Sequence, residues 1–149
     1  MAPDGLGRSE YDGSMHRQKT SSQALPASTS AAVAAGLLLL VGSFQAALAA
    51  GAPWGVAAYG GATPGRLPSR LRASSAASTI LYALLAILTL RARPGAARTR
   101  RVLTGATGLM ALGTVMNLAS RSRVERALWT PVAGMLTVAL ARVVRELRN

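Results

Sequence analysis

Charged residues occur in blocks along this chain, and the gaps between the blocks predict its elements. Between Lys19 and Arg66 lie 46 residues with no Asp, Glu, Lys, Arg or His. Three more uncharged runs follow: Ala73 to Leu90 (18 residues), Val102 to Ser120 (19) and Ala127 to Ala141 (15). At ~1.5 Å per residue, a helix built on either of the two middle runs spans roughly 27–29 Å, close to the ~30 Å hydrocarbon core of a bilayer. The shortest run lengthens if Arg126 and Arg142 snorkel, with their stems in the apolar layer and their guanidinium groups at the interface. The pattern predicts an all-α transmembrane bundle of four helices, with spans at about 30–50, 73–91, 102–120 and 127–145. A soluble bundle is disfavoured, because four all-apolar helices would leave almost no polar surface to cover it.

The first run is too long for one span. Its apolar centre is Ala31 to Ala50, and Gly51-Ala52-Pro53 stops the helix, since proline lacks a donor and restricts the residue before it. The stretch from Trp54 to Pro68 contains Gly55, Gly60, Gly61, Pro64 and Gly65 and is expected to be an irregular loop. Trp54 and Tyr59 are expected interface anchors of the aromatic belt. A re-entrant segment is the alternative, and it would have to be buried in protein. A second alternative treats the first helix as a cleaved signal peptide. Arg17 and Lys19 precede the apolar stretch, and Ala47-Leu48-Ala49 has the A-x-A form, but alanine is too common here for that triplet to weigh much. Cleavage would leave three spans, and a retained helix is preferred. Residues 1–27 are polar and show no hydrophobic periodicity, so they are expected to form a disordered tail. Met15 is a second possible start.

Composition then narrows the function classes. Seventeen basic and five acidic residues among 149 give a net charge of +12, which alone would suit a nucleic-acid binder. Half the residues are apolar and only 15% are charged, which argues against nucleic acid as a partner. There is no cysteine and one histidine, His16, so disulfide scaffolds and Cys- or multi-His metal sites are excluded. No charged residue interrupts the four uncharged runs on which the spans are built, which disfavours a proton-coupled pump. No phosphate loop, nucleophile elbow or metal-ligand cluster is present, and no catalytic, cofactor or metal residue is expected. Arginines bracket the spans instead. With both termini cytoplasmic, eleven basic residues fall inside and six outside, in the sense of the positive-inside rule. The partners expected are the bilayer and its anionic lipids.

The chemically densest stretch runs from Met116 to Pro131. Asn117, Ser120, Arg121, Ser122, Glu125, Arg126 and Trp129 form a candidate interaction or anion site there. Ser122-x-x-Glu125 is a capping-box pattern, and an ion pair from Glu125 to Arg121 or Arg126 would fix a short hairpin. The sharper reading has the two arginines holding an anion, such as a lipid head group, with Glu125 orienting them. Asn117, Gln45 and Tyr82 lie within apolar runs and need hydrogen-bond partners, more simply between helices than with a substrate. Pro131 either opens a fresh helix behind Thr130 or kinks the last one, and Trp129 is most simply an interface anchor. Small residues one turn apart, as in Gly42-x-x-x-Ala46, Ser74-x-x-x-Ser78, Thr104-x-x-x-Gly108 and Ala133-x-x-x-Thr137, favour close helix packing in lipid.

Gly51-Ala52-Pro53-Trp54-Gly55 with Gly60-Gly61 and Leu67-Pro68, followed by Met116-Asn117 and Ser120-x-Ser122-x-x-Glu125-Arg126-x-x-Trp129-x-Pro131, resembles an uncharacterised family of small four-helix integral membrane proteins of high-GC bacteria. The likeness covers about residues 30 to 145 and implies a multi-pass plasma-membrane location and architecture, not a mechanism. Sixteen arginines against one lysine fit a high-GC coding sequence independently. Two functional classes remain. The first is a non-enzymatic interaction, structural or accessory membrane protein, as a homo-oligomer or with a membrane-protein partner. The alternative is a small transporter or channel for a neutral or anionic solute, which requires Gln45, Tyr82 and Asn117 to face one cavity. An enzyme is the least favoured class. A reporter fused after Asn149 is expected to be active only in the cytoplasm; activity only on the outer side would refute the orientation.

Overall fold

The computed structural model describes residues 28–148. Residues 1–27 and Asn149, and with them the expected disordered tail, the second start at Met15 and the basic residues Arg8, Arg17 and Lys19, lie outside the described residues. Four helices run in chain order: α1 Thr29–Ala50, α2 Ser69–Leu90, α3 Ala97–Leu118 and α4 Arg123–Glu146, with no strand among the described residues.

Each boundary has a local cause. The Ser28 hydroxyl caps α1 by accepting from the Ala31 N–H at 3.1 Å. Gly51 ends α1 in the left-handed region at φ 104°, its N–H returning to the carbonyls of Ala47 (3.1 Å) and Leu48 (3.0 Å). Helix α2 begins at Ser69, four residues before its uncharged run, and so carries Arg70 and Arg72 in its first turn. The Arg72 Nε donates to the Ala49 carbonyl at 2.9 Å, so a charge at the start of α2 satisfies an open carbonyl at the end of α1. Helix α4 is continuous across Pro131, so no fresh helix begins there. The missing proline N–H falls on the turn that holds Ala127, which is exposed.

Three of the helices, α1, α2 and α4, are long and apolar enough to cross a membrane. Helix α3 is as long at 22 residues but less apolar, so three of the four expected spans have that character. It starts at Ala97 and stops at Leu118, taking in Arg98, Arg100, Arg101 and Asn117, and its interior holds Thr104, Gly105, Thr107, Gly108, Gly113 and Thr114. The uncharged run from Val102 to Ser120 was counted on absence of charge, and threonine and glycine are uncharged without being strongly apolar.

The helices form an open ring. Helix α1 packs along α2, α3 packs along α4, and α1 and α4 join the two hairpins, whereas α2 and α3 scarcely touch. The main core fills the ring from its terminal end, where Leu38, Leu85, Leu103, Leu136, Leu140 and Val143 meet. The Ser28 hydroxyl donates to the Glu146 carboxylate at 2.6 Å, which ties the start of α1 to the end of α4 at that same end. At Gly42 α1 and α2 approach closely: a Cβ there would lie 3.3 Å from the Tyr82 Cβ. On α2 that contact also uses Thr79, while Ser74 is exposed and the fully buried Ser75 meets the Tyr59 hydroxyl instead. The hydroxyls of Thr79, Thr89, Thr107, Thr114 and Thr137 each donate to the carbonyl four residues earlier, whereas the buried Thr130 hydroxyl has no partner. Outward faces carry Leu39 and Leu40, Ile80 and Leu84, Leu109 and Leu112, and Met135 and Val138, a girdle that suits lipid and not water.

At the other end, residues 51–68 fold into two short 3₁₀ turns, Gly55–Ala57 and Tyr59–Gly61. The Gly55 N–H donates to the Gly65 carbonyl at 2.9 Å, closing the loop on itself. A Cβ on Gly55 would sit 2.0 Å from the Thr63 carbonyl oxygen and 2.8 Å from that of Gly65. Gly55→Ala is therefore expected to lower stability in detergent by about 1–3 kcal/mol or more, as overpacking against backbone does. Gly36→Ala, with nothing within 4 Å of its Cβ, serves as the near-neutral control. Equal thermal midpoints for the two variants would refute the close fit at Gly55.

Candidate functional site

The loop after α1 and the turn between α3 and α4 meet at the same end of the bundle and hold each other in place. Ser122 caps α4, its hydroxyl accepting from the Glu125 N–H at 3.2 Å. The return arm of the capping box is relayed: the Ser122 N–H donates to the Ser120 hydroxyl at 3.2 Å, and that hydroxyl donates to a Glu125 carboxylate oxygen at 2.5 Å. The Ser122 hydroxyl also donates to the Val56 carbonyl at 2.7 Å, and the Trp129 indole N–H to the Ala57 carbonyl at 2.7 Å. Two carbonyls of one 3₁₀ turn are thus satisfied by side chains from the start of α4. Gly61 lies so close to the hairpin that a Cβ there would be 2.7 Å from the Ser122 Cβ.

Aromatic rings fill the layer beneath. Phe44 on α1 stacks on Trp54, with ring centroids 6.0 Å apart at 11°, and tilts against Trp129, 4.5 Å away at 56°. Tyr59 adopts φ 52°, unusual for a non-glycine residue. Its hydroxyl donates to the Leu71 carbonyl at 3.2 Å and lies 3.0 Å from the Ser75 hydroxyl, so α2 holds the strained residue. Both Trp54 and Tyr59 are partly exposed at this end, but their rings and hydroxyls also engage α1 and α2.

Inside this end lies a cavity of about 440 Å³. Its walls come from all four helices: Phe44 and Gln45 from α1, Tyr82 from α2, Met110, Gly113 and Asn117 from α3, and Glu125, Trp129 and Leu136 from α4, with Ala57–Gly60 and Ser120 closing the loop side. Glu125 is only 8% exposed, yet it is one of the lining residues. The Gln45 side-chain oxygen is buried and has no hydrogen-bond partner. The volume lies within the range of small-molecule pockets.

Of the residues singled out from sequence, Asn117, Ser120, Glu125 and Trp129 share this cavity with Gln45, Tyr82 and Tyr59. Ser122 caps the helix beside it. Arg121 and Arg126 are exposed and do not line it. Arg126 donates from Nη1 to the Ser120 carbonyl at 3.1 Å and forms no ion pair with Glu125, so backbone bonds and hydroxyls hold the hairpin in place of the expected salt bridge. Phe44, Met110 and the 3₁₀ turn were not singled out; only the interhelical register shows that they face the same space. At the opposite end, Arg100, Arg101 and Arg148 surround a shallow depression with Thr104. Comparison of the chain with protein-family models, with curated proteins and with solved structures gave no match.

Ser122→Ala removes both the α4 cap and the bond to Val56, and is expected to cost about 1–2 kcal/mol. Limited proteolysis within residues 51–68 should accelerate with it. Unchanged cleavage and an unchanged thermal midpoint would show that the loop stands without the hairpin.

Proposed function

We propose that this chain is a multi-pass plasma-membrane protein, related to the high-GC bacterial family it resembles, with both termini cytoplasmic, that holds a small and partly polar molecule in its loop-end cavity. The observation that carries this reading is the convergence of Gln45, Tyr82, Asn117 and Glu125, one from each helix, on one space of about 440 Å³. Polar groups placed in apolar runs are costly unless partnered. Had they served only as glue between helices, the Gln45 oxygen would have found a partner, and it has none. The role is one of binding or passage and not of catalysis, because the lining offers a single carboxylate and no second acid or histidine to complete an acid–base pair.

The arginines at the terminal end support anionic lipids as the surrounding partner, since Arg100, Arg101 and Arg148 present three cations around one depression. An accessory or oligomeric role has one specific observation in its favour: Thr104, Gly105 and Gly108 of α3 are exposed, unlike Gly42, whose close contact is made within the chain.

Trp54→Phe leaves Trp129 as the sole tryptophan, because the chain has two. Titration of that protein in detergent with small aromatic solutes of positive, zero and negative charge is expected to shift Trp129 emission saturably for at least one class. Gly113→Leu, at a lining position with nothing within 4 Å of its Cβ, should fill the space and abolish the shift. No shift with any class, or a shift indifferent to Gly113→Leu, would refute the reading.

A further inference from the structure

We infer that the ligand of the loop-end cavity is a protonated amine with an apolar body, and that Glu125 is its counter-ion. This rests on the reading of the cavity as a binding site and adds the chemical class of what it takes.

The first ground is the charge of the lining. The chain carries seventeen basic residues, and none of them lines the cavity. Its one charged side chain is Glu125, 8% exposed and bonded through one oxygen to the Ser120 hydroxyl, with no ion pair among the described residues. A carboxylate so far out of water costs stability unless a cation or several donors meet it. The N-terminal turn of α4 supplies part of that through its dipole. The remainder is open to whatever enters the cavity. Arg121, Arg123 and Arg126 stand nearby on the exposed side, where solvent and lipid phosphates screen them.

The Glu125 carboxylate calls for a ligand that brings N–H donors, which a protonated amine does and a quaternary ammonium does not. The second ground is the aromatic wall. The sequence is only 4% aromatic, yet Phe44, Tyr59, Tyr82 and Trp129 all line this cavity. Ring faces attract cations in desolvated sites, and the same rings take up an apolar body. An anion would meet the carboxylate and lack any cationic partner.

The test uses the full-length Trp54→Phe protein in detergent, with Trp129 emission as the readout and three probes of one shape: 4-phenylbutylammonium, 4-phenylbutanol and 4-phenylbutyrate. The ammonium is expected to bind about tenfold or more tighter than the alcohol, as a charge-assisted hydrogen bond implies, and the carboxylate probe weakest. Glu125→Gln keeps an acceptor for the Ser120 hydroxyl, and should bring the ammonium and the alcohol to within about twofold of each other. Glu125→Asp, which keeps the charge, should retain the preference, and the thermal midpoint of each variant separates loss of binding from loss of fold. Equal binding of ammonium and alcohol by the parent protein, or a preference that survives Glu125→Gln, would overturn the amine inference and leave the binding site standing. Saturable binding of none of the three probes would overturn both.

Discussion

Backbone polar groups in an apolar layer must find partners within the protein, and the structure depends on how the chain between α1 and α2 meets that requirement. Helices satisfy their own interiors, so the demand concentrates at their ends and in the loop. The open carbonyl of Ala49 takes the Arg72 guanidinium, and those of Val56 and Ala57 take the Ser122 hydroxyl and the Trp129 indole. The second pair of bonds joins two parts of the chain more than sixty residues apart. They convert two helical hairpins that share one long contact into a bundle with a closed end.

That closure creates the cavity. With α2 and α3 scarcely in contact, the space between the hairpins is filled by Leu38, Leu136 and Leu140 at the terminal end and left unfilled toward the loop. Side chains at the loop end are occupied in tying it down, Phe44 against two tryptophans and Tyr59 against α2. The architecture therefore separates two tasks along the bundle axis, with packing near the termini and a lined chamber beneath the cap. The small-residue contact at Gly42 lies between them and sets how near α1 and α2 approach.

That the described residues form four helices was legible in the charge pattern, because charges avoid apolar runs and arginines cluster between them. The boundaries moved where a charged side chain had work at a neighbouring helix end, as Arg72 does. For α3 the charge pattern says less: absence of charge is not the same as apolarity, and threonine and glycine fill much of that run. The cap at Ser122 was legible, since a serine three residues before a glutamate has few other local uses. The relay through Ser120 and the unpaired state of Glu125 were not, because several arginines surround Glu125 in sequence and only geometry shows that Arg126 turns to a carbonyl.

By itself, the sequence determined that the described residues form helices on long apolar segments, placed to within about five residues, and that their polar exceptions are few. Those are consequences of period, length and local capping, which act over a handful of neighbours. Only the tertiary structure decided that Gln45, Tyr82, Asn117 and Glu125 look into one space, that no arginine joins them, and that the loop is pinned to α4. Helices are rigid rods whose rotation and partner are chosen by packing. Which face of each turns inward is a property of all four together, and the candidate site exists only at that level.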